Sequence, residues 1–159
     1  MGILTFGEFM IESTTYGLET AGVVFLYQNK ILLVHPTNAS WKKGLCSIPK
    51  GKVEPGEDTL TAALREVREE TGIILTPDQL ELSPEVVTFY AGGKIKQLTY
   101  FICNLEDLSE IGLSSSTVPK SQLQLEEVDW AKFVTAEEAY PLISRSQLII
   151  LDRHLKINK

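Results

Sequence analysis

Cysteine is scarce in this chain, with only Cys46 and Cys103 among 159 residues. Both sit inside apolar, strand-like runs, and two cysteines so far apart build no disulfide framework, so buried reduced thiols in a cytoplasmic protein are expected. Long hydrophobic runs are missing as well. No stretch approaches the roughly eighteen consecutive apolar residues that a membrane helix needs, which excludes a helical membrane protein. The amino-terminal MGILTFGEFMIESTTYG has no basic region ahead of its apolar residues and carries acids, so no signal peptide is read there, and Phe6 stands where a myristoylation motif wants Ser or Thr. An excess of positive charge is also absent. The net charge of −6 argues against a broad electrostatic grip on nucleic acid. It leaves room for a phosphate substrate, provided that metal ions bridge the two sets of negative charge.

What remains is the composition of one soluble domain, residues 1–159, with 43% hydrophobic and 23% charged residues. At most one edge strand is read in residues 1–18. The runs AGVVFLY (21–27) and ILLVH (31–35), separated by a short polar turn, predict a buried hairpin, and the turn-rich PTNASWKKG (36–44) predicts a loop over a site. Residues 45–48 read as a brief strand ending at Pro49. EVVTFYA and KIKQLTYFICNL, joined through Gly92-Gly93, predict a second hairpin. Residues 105–120, serine-rich and without periodicity, predict a mobile loop, and SQLQLEEVDWAKFV a further strand. Capping boxes at Thr135–Glu138 and Ser144–Gln147 predict two helices near the end. Hairpins rather than regular strand–helix alternation favour an α/β (α+β) fold, with a mixed sheet between helices.

The most informative stretch is GKVEPGEDTLTAALREVREETGI, Gly51 to Ile73. At about 100° per residue, Leu60, Ala63, Leu64, Val67 and Thr71 form one apolar stripe, and Gly72 stops the helix. Glu66, Glu69 and Glu70 fall on the opposite side of the same wheel. Like charges at this spacing repel by a few tenths of a kcal/mol per pair, and Arg65, four residues before Glu69, does not neutralise three carboxylates. A hard divalent cation, Mg2+ or Mn2+, would do so.

Gly51, then five residues, Glu57, then seven, then Arg65-Glu66-Val67-Arg68-Glu69-Glu70-Thr71-Gly72-Ile73 fits G-x5-E-x7-R-E-U-x-E-E-x-G-U at all nine specified positions. By this motif the chain resembles a Nudix hydrolase. The resemblance implies an α/β/α sandwich and metal-assisted attack of water on a nucleoside diphosphate linked to another moiety. Carried over by position, it makes Gly51, Glu66, Glu69 and Glu70 metal-binding and either Glu66 or Glu69 the base toward water. Glu57 and Arg65 would support them. A later ligand is expected from Glu126 or Glu127, with Glu127 as the choice. Pro49-Lys50-Gly51 is similar to the diadenosine tetraphosphate hydrolase and decapping branches, which makes Lys50 a phosphate contact. Trp41 and Lys43 are further substrate-binding candidates, by stacking and by charge. His35 and His154 read as structural or exposed, and Tyr90 and Tyr100 as more at home in a core than in a cleft wall. The implied substrate is a small nucleotide, first of all a dinucleoside polyphosphate. The alternatives are a damaged nucleoside triphosphate, a nucleotide sugar, or a nucleotide bound without turnover. Family analogy also allows a homodimer.

Overall fold

The computed structural model describes residues 16–157. Most of the segment expected to hold an edge strand, residues 1–18, therefore lies outside the described residues; β1 begins at Tyr16. Six strands make one mixed sheet in the order β4-β5-β1-β2-β6, with β3 also paired to β1. They are β1 (Tyr16–Tyr27), β2 (Lys30–Pro36), β3 (Lys50–Lys52), β4 (Glu81–Ala91), β5 (Lys94–Leu105) and β6 (Val128–Val134). β1 and β5 run parallel and the other pairs are antiparallel, so the mixed sheet follows from hairpins plus one crossover.

Both predicted hairpins form. Gln28 and Asn29 turn the first with φ of 50° and 58°, the conformation a tight two-residue hairpin requires. Gly92 and Gly93 do the same for the second, with φ of 61° and 76°.

Helix α1 (Thr59–Thr71) lies on one face of the sheet, and the single turn α2 (Ala136–Ala139) and α3 (Leu148–His154) lie on the other. Strand alternation divides the core accordingly. Val23, Phe25, Leu32 and Phe101 pack toward Ala63 and Val67 of α1. Val24, Ile31, Leu33 and Leu98 pack toward Ile150 and Leu151 of α3. The result is the α/β/α sandwich expected from the motif. Among the described residues no helix is long and apolar enough to cross a membrane.

Several local expectations give way to tertiary structure. Residues 105–120 are built rather than mobile: Asp107 caps a 3-10 turn at Leu108–Ile111, and Leu108, Ile111, Leu113 and Val118 are buried in the α1-side core. Their spacing is irregular because each reaches the core from a different turn. Residues 45–48 form only isolated bridges, Val34 with Ser47 and Cys46 with Ile143. The strand predicted over 121–134 starts at Val128, after a 3-10 turn at Lys120–Gln122. The helix expected from Ser144 begins as a 3-10 turn, Arg145–Gln147, and becomes α-helical at Leu148.

Candidate active site

The site starts from a turn. Glu57 N–H donates to the Glu54 carbonyl at 3.0 Å, and the Glu57 carboxylate accepts from Glu54 N–H at 3.0 Å, which closes the loop between β3 and α1. Asp58 then caps α1 by accepting from Thr61 N–H at 2.7 Å, and Gly72 ends it with φ of 73°. The loop and the helix therefore hold fixed positions relative to β3, and two spacings of the motif become contacts: Glu57 with Arg65, and Gly51 with Glu66.

Arg65 is the hub of the first. Its Nε and Nη2 donate to the two Glu57 oxygens at 2.8 and 2.9 Å, Nη1 donates to Glu66 Oε1 at 2.9 Å and to Glu69 Oε2 at 3.2 Å, and Nη2 also donates to the Lys52 carbonyl at 3.0 Å. The forked contact to Glu57 is the strong, direction-fixing kind. These hydrogen bonds hold the Glu57 carboxyl down to about 2 and raise the Arg65 guanidinium still further above its ordinary value.

The glutamate trio does not share one solvent face as the wheel suggested. Glu66 is buried, with 9% of its surface exposed, and Glu69 points outward. The reason is Gly51. A Cβ built on Gly51 would fall 2.0 Å from Glu66 Cδ, so the carboxylate fills the space that the glycine leaves open against β3. Glu70 also turns inward, and its Oε1 accepts from Lys50 N–H at 3.0 Å. Burial raises the Glu66 carboxyl despite the Arg65 hydrogen bond, and the charges of Glu69 and Glu127 add to the rise. Burial pushes Glu70 up to about 8, opposed by the Lys50 N–H and reinforced by Glu66 and Glu127. Glu127 is close enough for its charge to act on both inward carboxylates.

Among the described residues no three His, Cys, Asp or Glu side chains already converge as a metal-holding group. The donor set nevertheless fits a hard divalent cation. Its members are carboxylate oxygens that raise one another's proton affinity, packed against a backbone stripped of its side chain, with negative charge in excess of the cations beside it.

Lys50 stands between this acidic edge and a cavity on the other face of the sheet. Its backbone holds Glu70, while its side chain lines a cavity of ≈ 240 Å³ together with Thr20, Phe89, Lys96, Leu98 and Gln147. Gly22, paired with Lys50 across β1 and β3, makes this approach possible: a Cβ there would meet the Pro49 carbonyl at 2.4 Å.

Trp41 and Lys43 are not brought to that cavity. Trp41 stacks on His35 with centroids 3.7 Å apart and planes 2° from parallel, and meets Trp130 edge-on. His35 is buried, with Nδ1 2.7 Å from Asp129 Oδ1. Lys43 is exposed on the same loop. Tyr100 is fully buried and bonded to His154 at 2.9 Å, and Tyr90 is exposed on β4, so neither walls the cavity. The wall residues that sequence reasoning missed, Phe89, Lys96 and Gln147 among them, come from separate segments and share no spacing.

Comparison with known proteins agrees with this geometry. The chain is 39% identical over 69 residues to the asymmetrical bis(5'-nucleosyl)-tetraphosphatase of Caenorhabditis elegans, a match covering 42% of this chain and 49% of the relative. It is 40% identical over 81 residues to the mouse protein of the same name, covering 50% and 55%. The chain thus spans about half the length of these curated relatives. A solved C. elegans Ap4A hydrolase complex superposes with a TM-score of 0.61 at 26% identity, covering 86% of this chain and 94% of that one. A MutT NUDIX hydrolase from Burkholderia pseudomallei shares the fold, with a TM-score of 0.63 at 20% identity over 85% of this chain and 95% of that one. The family model of the NUDIX domain matches residues 18–151, a span that takes in the Gly51–Glu66 contact, the Arg65 hub and the cavity beside Lys50, and the chain belongs to the Nudix family.

Proposed function

We propose that the protein is a divalent-metal-dependent pyrophosphohydrolase of the cytoplasm that cleaves a phosphoanhydride bond in a nucleoside polyphosphate, with dinucleoside polyphosphates such as diadenosine tetraphosphate as its first class of substrate. The observation that carries this reading is Lys50, whose backbone binds an acidic, metal-suited edge while its side chain enters a cavity beside it. A nucleotide with one end in that cavity would lead its phosphate chain past the Lys50 ammonium toward Glu66 and Glu70. The likeness to two asymmetrical tetraphosphatases supports the choice of a long polyphosphate.

In this reading the Gly51 carbonyl, Glu66, Glu69, Glu70 and Glu127 hold Mg2+ or Mn2+. Such an ion, when bound, neutralises phosphate oxygens and makes water more acidic. Glu66 or Glu69 accepts the proton of the attacking water, and Arg65 positions both carboxylates from 2.9 and 3.2 Å. Glu57 holds Arg65 in turn, and Lys50 grips the phosphate chain. Trp41 and Lys43 receive no substrate role, because Trp41 is engaged by His35 and neither lines the cavity.

The test is a panel of dinucleoside polyphosphates, nucleoside triphosphates and nucleotide sugars incubated with Mg2+ in oxygen-18 water, with products identified by mass. Dinucleoside tetraphosphate should be cleaved fastest, with label in one product and no turnover in chelator. Preferential cleavage of triphosphates or sugar nucleotides would replace the substrate class. Binding of nucleotides that all return intact would overturn the enzyme reading.

A further inference from the structure

Of the carboxylates proposed to hold a metal ion, three are gripped by a neighbouring donor: Glu66 and Glu69 by Arg65, and Glu70 by Lys50 N–H. Glu127 is not. It is exposed in the turn that leads into β6, and its carboxylate has no hydrogen bond or ion pair among the described residues. The place of that carboxylate is therefore set by the backbone beneath it.

That backbone is held from two sides. Within the turn, Glu127 N–H and Val128 N–H both donate to the Gln124 carbonyl, at 2.9 and 2.8 Å. Toward α1, Gln124 N–H donates to the Glu70 carbonyl at 3.2 Å and the Gln122 amide donates to the Thr71 carbonyl at 3.3 Å, so the turn is tied to the end of the helix that carries the other carboxylates. From the opposite side a single residue does the holding. Thr37 N–H donates to the Glu127 carbonyl at 2.9 Å, and the Thr37 hydroxyl donates to the Leu125 carbonyl at 2.8 Å. Thr37 follows the register shift at His35/Pro36, where the ladder between β2 and β6 runs out, and its two bonds continue the attachment past that point. Its own position is backed by the contact of His35 with Asp129 and by Trp41, which packs on both His35 and Trp130. The turn fixed in this way sits at the acidic edge, since the charge of Glu127 acts on both Glu66 and Glu70.

We infer that Thr37 is a positioning residue for the cation: by holding the Leu125 and Glu127 carbonyls it fixes the Glu127 carboxylate opposite α1 and so raises the affinity of the site for a divalent ion. A carboxylate whose backbone is already in place loses less freedom when it binds, which is where the affinity comes from. This inference rests on the metal-holding role given to Glu127 in the proposed function, but not on turnover.

The test uses Mn2+ alone, titrated into the full chain and followed by the electron paramagnetic resonance signal of the free ion. Thr37→Val removes the hydroxyl and keeps both the N–H and the shape of the side chain, and Thr37→Ser restores the hydroxyl. Thr37→Val should weaken Mn2+ binding about tenfold, the low end of the loss when a group supporting a metal ligand is removed, and Thr37→Ser should recover most of it. In a Glu127→Gln background Thr37→Val should cause no further loss, because an effect exerted through Glu127 has nothing left to act on. Urea titration of the metal-free variants verifies folding, with Thr37→Ala taking the place of Thr37→Val should the valine variant not fold. Unchanged Mn2+ affinity in the folded variant, or an equal loss with and without the Glu127 carboxylate, would overturn this inference and leave the proposed function standing. Mn2+ binding that follows the expected pattern, with no hydrolysis of any nucleotide, would sink the proposed function and support the role of Thr37. A wild type that binds no Mn2+ would overturn both.

Discussion

The two faces of the sheet put different chemistry on either side of Lys50. On the α1 side, Glu66 and Glu70 are turned inward against Gly51 and β3, with Glu127 adding to their negative field. On the α3 side, the cavity has lysines, an aromatic ring, hydroxyls and an amide, and no carboxylate among the described residues. One face is suited to concentrate cations and the other to receive a ring. In the proposed function, the difference assigns reaction type and substrate choice to separate layers. A change on the α1 face should alter rate for every substrate, whereas a change on the α3 face should alter which substrate is preferred.

The largest expected effect tests that division at its acidic pole. Glu66→Gln keeps size and removes charge, and should lower kcat by about 10²–10⁴-fold, the range of a lost acid–base or metal-holding carboxylate. The loss should be equal for dinucleoside tetraphosphate and nucleoside triphosphate substrates. Unequal loss, measured by steady-state kinetics on both, would show that the two faces do not act separately. Gly51→Ala comes next. Its Cβ would fall within 2.0–2.3 Å of all three carboxyl atoms of Glu66, so the carboxylate must leave its seat. Overpacking of this kind costs about 1–3 kcal/mol in a denaturant titration, and the same variant should lose most activity. Retention of both would place the Glu66 carboxylate elsewhere.

The α1 face was legible because its contacts lie within one short stretch of chain. Helical spacing joins Arg65 to Glu69, the turn at Gly56 returns Glu57 to Arg65, and Gly51, on β3, faces Glu66. Even there the wheel misplaced Glu66, since a helical projection records angle and not the absence of a side chain on the neighbouring strand. The sandwich was legible from strand alternation and two turn signals. The cavity was not, because Thr20, Lys50, Phe89, Lys96 and Gln147 meet only through strand register and the placement of the chain before α3. Gln147 carried the one usable hint, as the last residue of a predicted capping box, but that box did not form: Ser144 donates to the Cys46 carbonyl and Gln147 accepts from Ile48. Residues 105–120 failed for a related reason, their buried aliphatic residues having no period to detect.

The smallest effect concerns the support beneath the acidic edge, and it separates positioning from chemistry. Hydrogen bonds from Arg65 hold the Glu57 carboxyl down to about 2, below the roughly 4.3 of a free glutamate. A carboxyl with a depressed folded value binds fewer protons in the native state than in the unfolded state between those two values. Its contribution to stability is therefore present above about pH 4.3 and is lost as pH falls toward about 2. Arg65→Met removes the partner, so wild type should be the more stable of the two at neutral pH, by a margin that solvent screening keeps modest. That margin should shrink through the acid window and vanish near its lower end, as followed by urea titrations at stepped pH. At neutral pH the same variant should lose activity by about 10–100-fold, as when a supporting contact to a ligand is removed, with the preference between tetraphosphate and triphosphate substrates unchanged. A pH-independent stability difference would mean that Arg65 acts through packing of its stem rather than through Glu57, and a shifted substrate preference would mean that the acidic edge reaches across the sheet into the cavity.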